Sequence, residues 1–290
     1  MEAKVKTVSA VLDAPAPHMV GDGFRVHNFF PSGYKIEMSP FFLLDYNAKI
    51  EFSARNEARG VGVHPHRGFE TVTVAYHGAV AHHDSAGNSG VIYPGDVQWM
   101  TAASGILHKE YHEKEFSLKG GSFQMVQLWV NLPAMYKMTK PKYQDVKHAD
   151  MAKAVLADDG GVVEVIAGEY NGLQGSASTF SPVHLYNARL NKGGRASFNF
   201  PFSYNTGFVI IGGSIRVNGA EAAAADQFVY FNNDGAEIEL EALEDSIVLV
   251  MSGEPIDEPI AQYGPFLMNT PEEIEQAISD YNQGKFGYLE

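Results

Sequence analysis

A period of two dominates the chain. "ETVTVAYHGAVAHHD" puts Thr71, Thr73 and Ala75 on one face and Val72, Val74 and Tyr76 on the other, the pattern of a β-strand. "HGAVAHHDSAGNSGVIYPGDVQWM" reads as strand, Gly-Asn turn, strand, and a tight turn at Pro94-Gly95-Asp96. "YKIEMSPFFLLDYNAKIEF" and "SFQMVQLWVNLP" are further apolar strands. Short strands with turn signals every 8–12 residues predict an all-β sandwich or barrel. The second half is β-rich again, and "GFVIIGGSIRVNG" parallels "TVTVAYHGAVAHHD": apolar strand, glycine turn, alternating strand. A weak internal duplication follows, with one barrel over residues 1–135, a polar linker over 136–150 and a second barrel over 151–290.

Two helical signals stand out from the strands. "ADMAKAVLADDGG" suggests one or two turns. Thr270 as N-cap, Pro271 at N1 and Glu273 at N3 open a helix over 271–283. Ile274, Ala277, Ile278 and Tyr281 form its apolar stripe, and Gly284 stops it.

Composition sets bounds on this picture. The 290 residues contain 29 Gly and 14 Pro, suited to a chain of many turns, and no Cys, which excludes disulfides and thiolate ligands. No apolar run reaches the roughly 18–20 residues of a membrane span, and the N-terminus lacks a secretory pattern, so a cytoplasmic location is expected. Net charge is −14. Residues 1–140 hold 13 basic and 13 acidic residues, and residues 141–290 hold 8 and 22, so the excess lies wholly in the second half. Such a field disfavours direct nucleic-acid binding. It serves as a solubility surface or as a docking face for a basic protein partner.

The chemistry lies in two short pairs, His64 and His66 in "HPHRGFE" and His108 and Glu110 in "GILHKE". On strands, residues i and i+2 point the same way. Two such strands side by side aim three imidazoles and one carboxylate at one point, a donor set for divalent iron, manganese, nickel, copper or zinc. A lone His-x-His would be a weak signal; two ligand-type pairs in one stretch are a stronger one.

These pairs match the two cupin motifs. "HPHRGFETVTVAYHG" fits His-x-His-x3-Glu-x6-Gly with one extra residue before Gly78, and "AASGILHKE" fits the second motif with Ala103 in place of the usual proline. "VGDGFRVHNFFPS", "SPFFLLDY", "HPHRGFETVTV", "HDSAGNSGVIYPGDVQWMTAASGILHKE", "QLWVNLP" and "GPFLMNT" resemble the pirin family over nearly the whole chain. The resemblance implies two tandem cupin barrels, double-stranded β-helices of jelly-roll type. It implies one metal, usually iron(II), on His64, His66, His108 and Glu110. It also implies a second barrel without metal, where "FNFPFSYN" stands in place of a ligand strand.

The resemblance to bacterial pirins implies a flavonol dioxygenase of the quercetin 2,3-dioxygenase type. Flavonol and O2 are then the small-molecule partners, and Glu110 is both ligand and general base. The alternative from the family is a non-enzymatic, metal-dependent regulator that binds a transcription factor or a metabolic enzyme. A third reading is an isomerase on the same site. A monomer is expected. Glu70, at the usual cupin carboxylate position, is weighed as a substitute ligand and more heavily as a structural residue. Arg67 is a partner for Glu70, an orienter of a ligand or a surface ion pair. Trp99 and Met100 wall the pocket or fill the core, Phe41 does the same, and Asp45 has no assigned role. His77, His82, His83 and His112 are read as non-ligands.

Overall fold

Each half of the expected duplication folds into a four-stranded and a seven-stranded antiparallel sheet. The computed structural model describes residues 4–290. Contacts divide the chain into two units: one of Ala16–Lys35, Phe41–His148 and Ile256–Glu290, the other of residues up to Pro15, Ile36–Pro40 and Ala149–Pro255.

In the first unit the small sheet runs in the order Gly60–His66, Ile106–His112, Val80–Asp84, Ser89–Ile92. The large sheet is built around Phe69–His77, flanked by Val97–Thr101 and Gly121–Asn131. Phe69–His77 is buried on both faces along almost its whole length, as a central strand must be. The Gly-Asn turn is present, and Asp84 shapes it. Its Oδ1 accepts from the backbone N–H of Ala86 and of Asn88, both at 2.9 Å, an Asx turn that competes with continued pairing.

The second unit repeats this order. Arg195–Asn199, Glu237–Ala242, Ser214–Val217 and Glu221–Ala224 form its small sheet. Its core is an aromatic and aliphatic cluster including Tyr186, Phe198, Phe200, Phe208, Phe231 and Val250.

The division differs from the expected boundaries at three places. The strand Val8–Asp13 pairs with Gln227–Phe231, Leu12 opposite Phe228, so the N-terminal strand belongs to the second barrel and covers an edge that would otherwise expose unpaired backbone groups. Residues 256–290, with the helix, belong to the first. The helix spans Pro271–Asn282 with the full Thr270–Glu273 capping box. It buries Ile274 and Ala277 against Phe266, Met268, Phe286 and Leu107, an apolar stripe that finds its cover there rather than in the barrel that precedes it in sequence. The expected linker contains a strand, Lys142–Val146, paired with Val97–Thr101; Pro141 lies just before this edge strand, where a missing N–H costs nothing. The expected helical turns in 149–161 are instead a three-residue 3-10 turn at His148–Asp150 and the edge strand Ala152–Val155. Pairing with Gly161–Ala167 overrides the weak helical preference of the alanines.

Candidate metal centre

Cross-strand register assembles the centre. His108 lies opposite His64, and Ile106 opposite His66. The spacing within each pair then turns all three imidazoles to one side. Ring centroids lie 4.8 Å apart for His64–His66, 4.3 Å for His64–His108 and 4.7 Å for His66–His108. One ligand nitrogen from each falls within 4.8 Å of the others, a group able to hold a metal ion. Between His108 and Glu110 the register shifts, so that Glu110 faces Val61. Such a bulge re-aims the side chain that follows it. Lys109, between them, leaves the site: its Nζ donates to the main-chain oxygen of Glu290.

Hydrogen bonding and burial prepare these rings. His64 Nδ1 lies 2.8 Å from the Gly62 carbonyl, which makes it the protonated nitrogen and leaves Nε2 with its lone pair. His66 Nδ1 faces the Pro265 carbonyl at 3.4 Å. His66 and His108 are driven well below the usual imidazole range, first by burial and then by the neighbouring imidazoles, so both are neutral donors at pH 7. Neither ring nitrogen of His108 meets a hydrogen-bond partner, although both are buried. Unpaired buried polar atoms cost about 1–3 kcal/mol each. A metal ion answers that cost at one of the nitrogens, so the residues present fit the group.

Glu110 stands beside the triad. Its Oε2 accepts from Gln127 Nε2 at 2.8 Å and its Oε1 from Thr73 Oγ1 at 3.4 Å. Burial raises its carboxyl above the usual range, opposed by the Gln127 contact, the His64 imidazole and Thr73. Glu110, His64, Gln127 and Asp45 border one small cavity of about 40 Å³, with Phe24 and Val61 among its apolar walls.

The remaining residues sort by strand face. Glu70 is not part of the cluster. Phe69 and Thr73 face the site, Phe69 at 5.0 Å from the His66 ring, and alternation sends Glu70 to the opposite face. There it accepts from Thr101 Oγ1 at 2.6 Å and burial pushes its carboxyl up to about 7. Arg67 does not pair with Glu70. Its Nη1 lies 2.9 Å from Asp280 of the helix, its Nε donates to the Ser104 carbonyl at 2.8 Å, and its guanidinium stacks over Phe286. Trp99 and Met100 are fully buried core residues, and so is Phe41. His82 and His83 bond to the hydroxyls of Tyr143 and Tyr111, and His112 to the Gly23 carbonyl. Sequence reasoning missed Gln127 and Trp129 and gave Asp45 no role. Trp129 stacks on Phe69 at 4.1 Å and meets His66 at 5.3 Å. Gln127 and Trp129 stand at i and i+2 in "VQLWVN", a signal of a shared face that only a known neighbour makes specific.

The Arg67–Asp280 pair ties the C-terminal segment to the residue next to His66. Asp280→Asn should destabilise the metal-free protein by about 3 kcal/mol in urea unfolding, the cost of leaving a buried guanidinium without its charge partner. Metal affinity should fall about tenfold, because the Pro265 carbonyl that faces the His66 ring also accepts from the Arg67 backbone N–H. Lys285 first, and then Arg67, hold the Asp280 carboxyl at about 2, against its ordinary 3.8. The stability it contributes is therefore present above pH 3.8 and lost as pH falls through about 2. Acid titration of the variant should lack that component.

The pirin family model, described as Pirin, matches residues 23–130, and the Pirin C-terminal cupin domain matches 185–287. A Pseudomonas aeruginosa protein named "Putative quercetin 2,3-dioxygenase" is 47% identical over 283 residues, 97% of this chain and 99% of the relative. Pirin of Homo sapiens is 35% identical over 273 residues, covering 92% and 90%. The crystal structure of a quercetin 2,3-dioxygenase from Acinetobacter baumannii matches with TM-score 0.93 and 45% identity over 99% of this chain and 100% of that one. With both halves matched by the family's own domains and a cupin barrel in each, the chain belongs to the pirin family.

Proposed function

We propose that His64, His66, His108 and Glu110 hold one divalent metal and that the chain is a flavonol dioxygenase of the quercetin 2,3-dioxygenase type. The observation that carries this reading is the imidazole triad, with both His108 nitrogens unpartnered, beside a buried carboxylate. The name of the Acinetobacter baumannii relative supplies the substrate class. Three imidazoles and a carboxylate suit iron(II), and manganese, nickel, copper and zinc by the same donor chemistry. The bound ion supplies Lewis-acid and redox chemistry for a flavonol and dioxygen, in a reaction that opens the central ring and releases carbon monoxide.

The chain's own residues bind, orient and move a proton. Glu110 takes the proton of the flavonol 3-hydroxyl. Gln127 and Thr73 fix its carboxylate, and burial raises its basicity toward the working pH. Trp129 and Phe69 brace the His66 ring. The cavity, about 40 Å³, is far below the roughly 300–1,000 Å³ of ligand pockets, so a flavonol enters only when the lining parts. The hairpin of His18–Val20 and Phe24–Phe30 contributes Val20, Phe24 and Val26 to that lining and is the element expected to yield.

Anaerobic addition of quercetin to iron-loaded protein tests the proton step. The flavonol absorption should shift to that of the flavonolate in the wild type and stay unshifted in Glu110→Gln. Iron-loaded wild type that leaves the spectrum unchanged would sink the assignment.

A further inference from the structure

One edge of the C-terminal hairpin is open. Ala261–Tyr263 and Phe266–Met268 form a two-stranded sheet with Gln262 opposite Leu267. The Phe266–Met268 edge is covered. Leu267 donates its N–H to the Arg67 carbonyl at 3.0 Å, and its own carbonyl accepts from Lys137 Nζ at 2.8 Å. Both groups therefore point out of the hairpin. In an antiparallel ladder the two residues of such a pair both turn their backbone outward, so Gln262 presents its N–H and carbonyl on the other side. No strand among the described residues pairs there. Gln262 is exposed, and only its side chain folds back, to the Gly264 carbonyl.

A groove of about 550 Å³ runs between this strand and the helix Pro271–Asn282. Ile260, Ala261 and Tyr263 line it from the strand side, Ile274 and Ile278 from the helix. Ile260 is 49% exposed and Tyr263 66%, so the groove leaves contiguous apolar surface in water. Its charge has one sign. Glu275, one position after Ile274, also lines it. Residues 256–284 hold six acidic residues and no Lys, Arg or His. Three of the six are engaged: Glu258 with the Ala134 N–H, Glu273 in the helix cap and Asp280 with Arg67. Asp257, Glu272 and Glu275 are exposed.

An open strand edge beside an apolar groove is the arrangement that takes an extended peptide as an added strand. Alternate side chains of such a peptide enter the groove and the others stay in water. The carboxylates set the charge it must carry. We propose that this edge docks an extended, basic segment of a partner protein. The segment pairs with Ala261–Tyr263, packs apolar side chains against Tyr263 and Ile278, and sets a Lys or Arg against Glu275. The surface uses none of the metal donors.

Three short capped peptides test it on the full-length, metal-loaded protein, followed by amide NMR at low salt. One alternates lysine and valine. The second has the same sequence and charge, with backbone N-methyl groups along one edge that block strand pairing. The third alternates glutamate and valine. The first should shift the amides of Ala261–Tyr263 and of Glu275–Ile278. N-methylation should weaken it about tenfold or more, through the lost ladder bonds. The glutamate peptide should bind weakest, and salt should narrow the gap. Glu275→Lys alters one exposed side chain; it should weaken the lysine peptide about fivefold and strengthen the glutamate peptide. Shifts spread over the acidic second barrel would mean general charge attraction and overturn the proposal. Equal binding of the N-methylated peptide, or a Glu275→Lys variant with the wild-type preference, would do the same. Concentration-dependent shifts of these amides without peptide would replace the partner by a second copy of the chain.

Discussion

His108→Ala should emerge from purification without metal, with affinity lowered by more than about 100-fold. Loss of an outer hydrogen bond to a ligand already costs about 10–100-fold, and this change removes one of three imidazoles outright. The expectation is sharpened by what the variant does not lose. His108 is fully buried and neither of its nitrogens makes a hydrogen bond, so deletion relieves a desolvation cost of about 1–3 kcal/mol per atom while leaving a cavity with a penalty of about 2–4 kcal/mol. The two nearly offset. The metal-free variant should therefore unfold in urea within about 2 kcal/mol of metal-free wild type. Metal analysis and urea melts on the same samples separate the roles. A variant that keeps stoichiometric metal would remove the triad from the site.

Glu110→Gln should keep most of its metal and lose turnover by about 10²–10⁴-fold, the usual contribution of a positioned base. The amide is close in shape to the carboxylate, and reorientation of the Gln127 amide, which now donates at 2.8 Å, accommodates it. Binding through the three imidazoles persists, while the group that removes the flavonol proton is gone. Quercetin consumption divided by bound metal is the quantity to measure. An unchanged quotient would make Glu110 a spectator.

The three histidines that the structure brings together were legible because a strand has a fixed period of two, which converts i, i+2 into a shared direction without any knowledge of neighbours. The Thr270–Glu273 cap was legible for the same reason: it is local. Misreadings arose where a distant strand decides. Val8–Asp13 carries no mark of its partner more than 200 residues on, and only the open edge of Gln227–Phe231 explains its place. Glu70 is no misreading: it fits a ligand spacing rule but reads more heavily as a structural residue, and the strand face that carries Phe69 and Thr73 into the centre leaves it in that role, bonded to Thr101. Arg67, three places before Glu70, reads as its partner, as an orienter of a ligand or as a surface ion pair, and it forms a buried ion pair with a helix carboxylate 213 positions away. Asp45 and Gln127 are ordinary strand residues until register sets them opposite one another on the wall of the cavity.

Oxygen uptake and carbon monoxide release during aerobic incubation of iron-loaded protein with quercetin bear on the whole reading at once. The account predicts one O2 consumed and one carbon monoxide released per quercetin lost, with no such loss in His108→Ala. Iron bound at one per chain, with no quercetin loss and no carbon monoxide, would contradict it.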